Sequence, residues 1–106
     1  MIEEMTALQL KARRDAGNGP VVLDVREEWE LNIARLPQVL HIPMNEIPAR
    51  LGELDRSAQI VVLCRSGGRS MQVAQFLVRQ GFRDVANLTG GILAWARDVD
   101  AAVSVY

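Results

Sequence analysis

The chain has one cysteine and one histidine among its 106 residues. A lone thiol cannot close an internal disulfide, and one histidine beside it is too few for a zinc set. His41 is also remote in sequence from Cys64, which leaves a Cys/His proteolytic pair unsupported. Charge of one sign is missing too. Twelve basic residues face thirteen acidic ones, for a formal net charge of -1. Neither nucleic acid nor an anionic membrane would find a basic stripe to bind. No apolar segment approaches the roughly 20 residues that cross a bilayer. No stretch joins a basic n-region, an adequate apolar core and a cleavage site, so the expected location is the cytoplasm, where a thiol stays reduced. Internal repeats, low-complexity tracts and linkers are absent as well. What is there, 49% hydrophobic and 24% charged residues, suits one compact domain over residues 1–106 with a single core.

Two periodicities alternate along the chain. Thr6-Ala7-Leu8-Gln9 has the spacing of a capping box and opens a short amphipathic helix with Leu8, Leu10 and Ala12, closed by Gly17-Asn18-Gly19-Pro20. Val21 to Val25 is a continuous β-branched run bounded by Pro20 and by charge, the pattern of a strand buried on both faces, which implies a parallel sheet. A brief helix from Glu27 to Ala34 follows, with Trp29 and Ile33 expected to point inward, and Pro37 breaks it before a short strand from Val39 to Ile42. Asn45 is the expected cap of a helix through Leu54, with Pro48 in its first turn. Ile60 to Leu63 reads as the second buried strand. Ser70 to Gln80 reads as a helix with Val73, Phe76 and Leu77 on one face and Gly81 as its stop. Val85 to Leu88 gives a last strand, Thr89-Gly90-Gly91 a turn, and Ile92 to Ala96 a last helix. Arg97 to Tyr106 has no readable pattern. The alternation predicts an α/β fold, an open parallel sheet with helices on both faces.

In such sheets ligands bind beyond the carboxyl ends of the strands, where both Cys64 and Asp24 fall. Cys64 ends the run Ile60-Val61-Val62-Leu63 and opens a glycine-rich turn just ahead of a helix. Free backbone N–H groups in such a turn can converge on the sulfur, stabilising a thiolate and any anion bound to it. A free cysteine ending a buried strand is more often inert packing. Two arginines flanking Gly67 and Gly68 are costly in a purely structural bend, and they tilt the reading towards function.

Four segments occur in the order and approximate spacing of one family: Asp24-Val25-Arg26-Glu27, His41-Ile42-Pro43, Cys64-Arg65-Ser66-Gly67-Gly68-Arg69-Ser70 and Gly90-Gly91-Ile92-Leu93-Ala94-Trp95. Over nearly its whole length the chain resembles the single-domain rhodanese (thiosulfate sulfurtransferase) family. The resemblance implies a five-stranded parallel sheet flanked by helices and a persulfide on the loop cysteine. One segment departs: where family members often carry Gly-His-Ile-x-Gly-Ala, this chain has Ala34-Arg35-Leu36-Pro37-Gln38-Val39.

A sulfur donor such as thiosulfate is an anion, so the site must attract negative charge, lower the pKa of the attacking thiol and hold an anionic persulfide. Cys64 is the candidate catalytic residue, and no cofactor or metal is required. Arg65, Ser66, Gly67, Gly68, Arg69 and Ser70 are the candidate substrate-binding residues. Arg69 would supply planar donors for a sulfonate, while Arg65 reads equally as a donor ligand or a solvated surface charge. Asp24 and Arg26 are expected to brace the loop. Trp29, Trp95 and His41 are packing or strand-end residues without a catalytic role. The expected partners are a small anionic sulfur donor and a thiol or cyanide acceptor. The alternative reading is a sulfur-relay or protein-interaction module. A phosphatase or arsenate reductase ranks lower, because those loops resemble Cys-x5-Arg and this one is Cys-x4-Arg, a tighter fit for sulfur than for a tetrahedral oxyanion.

Overall fold

In the computed structural model, which describes residues 2–106, the two long apolar runs lie side by side at the centre of a sheet. They are β2 (Val21–Asp24) and β4 (Gln59–Leu63). Successive side chains of a strand point to opposite faces, and both faces here are covered. Ile60, Val62 and Cys64 pack with Leu23 against Val73, Ala74 and Leu77 of α3 (Gly68–Arg79). Val61 and Leu63 pack with Val22 against Leu10 of α1 (Ala7–Asp15) and Ile92 and Trp95 of α4 (Gly91–Asp98). This is the expected parallel sheet with helices on both faces, its core divided into two layers.

The sheet has five strands, all parallel, in the order β1-β5-β4-β2-β3, with β1 at Glu3–Met5, β3 at Leu40–His41 and β5 at Asp84–Leu88. From β2 the chain moves outward to β3, and from β4 it moves the other way to β5. The connections therefore diverge between β2 and β4, which opens a crevice beyond their carboxyl ends. Asp24 and Cys64 stand at that crevice. Among the described residues no helix is long and apolar enough to cross a membrane.

Several local expectations are corrected. Trp29 and Ile33 do not point inward: they are 59% and 45% exposed, while Glu30 and Leu31 of α2 (Glu28–Ile33) are buried. The helix is turned this way because the Glu30 carboxylate has polar partners, described below, that a tryptophan could not replace. The segment after Asn45 is not an α-helix but two 3-10 stretches, Met44–Glu46 and Pro48–Glu53, and Pro43 precedes the first. Pro48 has no N–H to give, and Arg50 at φ -116 and ψ 18 leaves helical geometry altogether. Only Leu40 and His41 of the 39–42 run pair with β2. The capping box at Thr6 forms as read, the Thr6 N–H donating to Gln9 at 2.9 Å and the Gln9 N–H to the Thr6 hydroxyl at 3.1 Å.

Candidate active site

Cys64 leaves β4 with its sulfur turned under the loop that follows. The Gly67 N–H donates to Sγ at 3.0 Å, and the Ser70 Oγ lies 3.2 Å from it. Gly67 has φ +115, a conformation costly for any residue with a side chain, and α3 begins at the next residue. The positive end of the helix therefore faces the sulfur. Burial pushes the Cys64 thiol up, but its hydrogen bonding with the Ser70 hydroxyl, in which either atom can donate, and with the Ser70, Gly67 and Ser66 N–H groups outweighs it. The net direction is down from the ordinary thiol value. Ser66 and Gly68 form the exposed crest of the loop, and Ser70 lies buried beneath it.

The loop is held from below by α4. The Ile92 N–H donates to the Cys64 carbonyl at 2.9 Å and the Leu93 N–H to the Arg65 carbonyl at 3.2 Å. Gly91, at φ +59, lies so close to those two carbonyls that a Cβ would collide with them. Gly91 is thus a device for close backbone approach.

The two loop arginines both have partners. Arg69 donates through Nη1 and Nη2 to the two carboxylate oxygens of Glu30, each at 2.7 Å. The Arg69 ion pair, helped by the Glu27 N–H and the Tyr106 hydroxyl, brings the Glu30 carboxyl down to about 2 despite its burial, and Glu30 holds Arg69 further up. Arg65 donates through Nε and Nη2 to the main-chain oxygen of Tyr106 and lies over its ring. The loop's surface is thereby tied to α2 and to the 99–106 segment.

Asp24 and Arg26 form a fully buried ion pair, Nη2 to Oδ2 at 2.7 Å. They reach the loop at one remove: Arg26 Nη1 donates to the Tyr106 hydroxyl at 2.9 Å, and that hydroxyl donates to Glu30 at 2.9 Å. Arg26 Nη2 also donates to the Ala34 carbonyl at 2.8 Å, at the start of the segment that departs from the family stretch. His41 lies on the same rim with Nε2 at 2.7 Å from the Arg26 carbonyl oxygen. Sequence reasoning missed two members of this network, Glu30 and Tyr106, and also Asn87, whose Oδ1 accepts from the Ser70 hydroxyl under the loop. Glu30 sits among Glu27 and Glu28 and looks like one more solvated charge, and Tyr106 lies in a tail without periodicity. Asn87 carried a signal, since a polar residue inside the buried run Val85-Ala86-Asn87-Leu88 needs a partner.

A buried thiol at a strand end, under a ring of backbone N–H groups at a helix start, defines an α/β protein with a thiol-bearing anion loop. A family model described as Rhodanese-like domain matches residues 6–98, and the chain belongs to that family. It is 40% identical to YtwF of Bacillus subtilis over 94 residues, 89% of this chain and 90% of that protein. It is 37% identical over 97 residues to a protein of Allochromatium vinosum named Sulfurtransferase, covering 92% of this chain and 91% of that one. Among solved structures it is similar to a rhodanese-like domain protein from Staphylococcus aureus, with a TM-score of 0.86, 27% identity and 99% coverage of both chains.

Proposed function

We propose that the protein is a sulfurtransferase in which Cys64 carries sulfane sulfur as a persulfide. The observation that carries this reading is the Cys64 sulfur itself, 3.0 Å from the Gly67 N–H in the turn that opens α3. The Cys64 thiolate attacks the sulfane sulfur of the donor. A bond forms between the two sulfurs, the donor's own bond to that sulfur breaks, and its electron pair leaves on sulfite (from thiosulfate) or on a thiolate (from a persulfide). An acceptor thiolate or cyanide then attacks the outer sulfur, and the pair of the breaking S–S bond returns to Cys64 as thiolate. No base, metal or redox partner is needed. The loop N–H groups hold the anion at each stage, and the kinship with the Allochromatium vinosum sulfurtransferase supports the same chemistry.

The pairing of Arg69 with Glu30 and of Arg65 with Tyr106 favours a second reading of the donor. Neither cation is free in this conformation, which suits a persulfide or a relay protein better than a free sulfonate. In the first reading the substrate-binding residues are Arg65 to Ser70; in the second the backbone N–H groups of that loop hold the anion while the two arginines keep their partners.

The test is Cys64→Ser, assayed by thiocyanate formation with thiosulfate and with a small-molecule persulfide as donor, alongside thermal melting. Serine keeps the size without a stable thiolate, so transfer from both donors is expected to vanish with melting nearly unchanged. Mass spectrometry should find one extra sulfur on Cys64 of the wild type after exposure to donor. Retained transfer in the serine variant, or strong aryl phosphatase activity in the wild type, would overturn the reading.

A further inference from the structure

Asn87 lies on β5, one strand away from Cys64, and sulfur transfer as described gives it no task. It is 4% exposed, and its amide is oriented from both ends. Nδ2 donates to the Gly67 carbonyl at 3.3 Å and to the Glu4 carboxylate at 3.4 Å. Both of those groups are acceptors only, so the amide nitrogen faces them and Oδ1 faces Ser70. The Ser70 hydroxyl donates to that Oδ1. A hydroxyl has one proton. While Asn87 holds it, the Ser70 oxygen can only accept from the sulfur 3.2 Å away. That arrangement suits a protonated thiol. Once the sulfur is ionised, Ser70 must swing its O–H from Asn87 to the sulfur, which strips a buried carbonyl oxygen of its donor, or else present a lone pair to an anion.

We propose that Asn87 is a positioning residue for Cys64: by holding the Ser70 proton it sets Ser70 as an acceptor from the resting thiol and leaves the backbone N–H groups as the donors to the anion. The inference rests on Cys64 as the sulfur carrier, because only then does its protonation state matter to the reaction. Asn87 and Ser70 together act as a restraint that ionisation has to release.

The experiment is a titration of Cys64, followed by its Cβ carbon resonance, which is unambiguous in a chain with a single cysteine. Ser70→Ala is made in three backgrounds: wild type, Asn87→Leu, which removes the competing acceptor, and Asn87→Asp, which strengthens it. Melting checks that each variant is folded. In the Leu background Ser70 is free to donate to the thiolate, so Ser70→Ala should raise the thiol pKa by about one pH unit, the scale of one charge-assisted hydrogen bond. The rise should be smaller in wild type and absent in the Asp background. Comparing Ser70→Ala within each background cancels any loosening of Gly67. Either background suffices if the other fails to fold. In the wild type alone, the Asn87 side-chain amide resonances should move with the Cys64 titration, and Ser70→Ala should suppress that movement. Equal Ser70→Ala shifts across backgrounds, or amide resonances indifferent to Ser70, would overturn the proposal. The titration needs no sulfur donor. A flat result with intact sulfur transfer therefore removes this inference alone, and lost transfer with the graded shifts removes the sulfurtransferase reading alone.

Discussion

Arg69 and Glu30 meet fork to fork, two guanidinium nitrogens on two carboxylate oxygens, and the carboxylate is 3% exposed while Arg69 is 35% exposed. The pair joins the loop to α2. Through the Tyr106 hydroxyl it continues to Arg26 and so to Asp24 at the end of β2. Two strand ends that are adjacent in the sheet are thus linked a second time above it, by charge.

This linkage has a pH signature. The Glu30 carboxyl sits near 4.5 in the unfolded chain and at about 2 in the fold. The folded state therefore binds that proton less readily, and the stabilisation is fully present above about 4.5 and lost as pH falls through about 2. A difference of that size corresponds to about 3 kcal/mol, reduced to about 1–2 kcal/mol by the solvent that reaches Arg69. In urea melts, wild type is expected to exceed Glu30→Gln by that amount at neutral pH, with the gap closing as pH falls from 4.5 towards 2. A gap independent of pH would contradict the assignment.

Among the described residues Gln38 is the non-glycine with positive φ, at +56, and it falls at the second glycine of the stretch that family members often carry. Its side chain is exposed, while its carbonyl accepts from Arg14 at 3.1 Å. The backbone is therefore needed and the side chain is not. Gln38→Gly relieves the left-handed strain at some cost in unfolded-chain entropy, for a net gain of about 0.5–1 kcal/mol. The gain is read as a rise of a few degrees in Tm, and an unchanged or lower Tm would refute it.

The sheet and the Cys64 loop were legible because they depend on local rules. A strand buried on both faces must be apolar throughout, as Val21 to Leu23 and Ile60 to Leu63 are, and a tight strand-to-helix turn calls for glycine. β1 was not legible, since Glu3 and Glu4 carry no strand pattern and are held by pairing with β5. Nor was the orientation of α2. A hydrophobic reading puts Trp29 inside, whereas the ion pair of Glu30 with Arg69, 39 positions away, puts it outside. Long-range polar pairing leaves no period in a sequence.

Gly91→Ala tests the approach of α4 to the loop. The new Cβ would meet the Cys64 and Arg65 main-chain carbonyls, which cannot swing aside as a flexible side chain can. The expected loss is at least about 2 kcal/mol in stability, with sulfur transfer reduced tenfold or more as the loop shifts. Gly17→Ala is the control for stability, because its φ of +79 is left-handed like that of Gly91 while a Cβ there meets nothing within 4 Å. Equal melting of the two variants would show that the close approach is dispensable.

Arg69 has two possible tasks, holding Glu30 and holding the donor, and a cycle separates them. Arg69→Ala strands a buried carboxylate, which should cost about 2–3 kcal/mol in stability, less than a fully buried pair because Arg69 is partly exposed. It should also lower kcat/KM for thiosulfate by roughly ten- to a hundred-fold, the scale of one charge-assisted partner, with Arg69→Lys losing less. Adding Glu30→Gln removes the stranded charge, so the double variant should recover most of the stability. If Arg69 also contacts the sulfonate, thiosulfate efficiency stays low in the double variant, and Glu30→Gln alone, which frees the fork, raises it. A pre-formed Cys64 persulfide should pass its sulfur to small acceptors equally well in all of these variants, because that step has no sulfonate to bind. Full recovery of thiosulfate efficiency in the double variant would make Arg69 a brace and leave the backbone N–H groups, with Arg65, as the ligands of the donor.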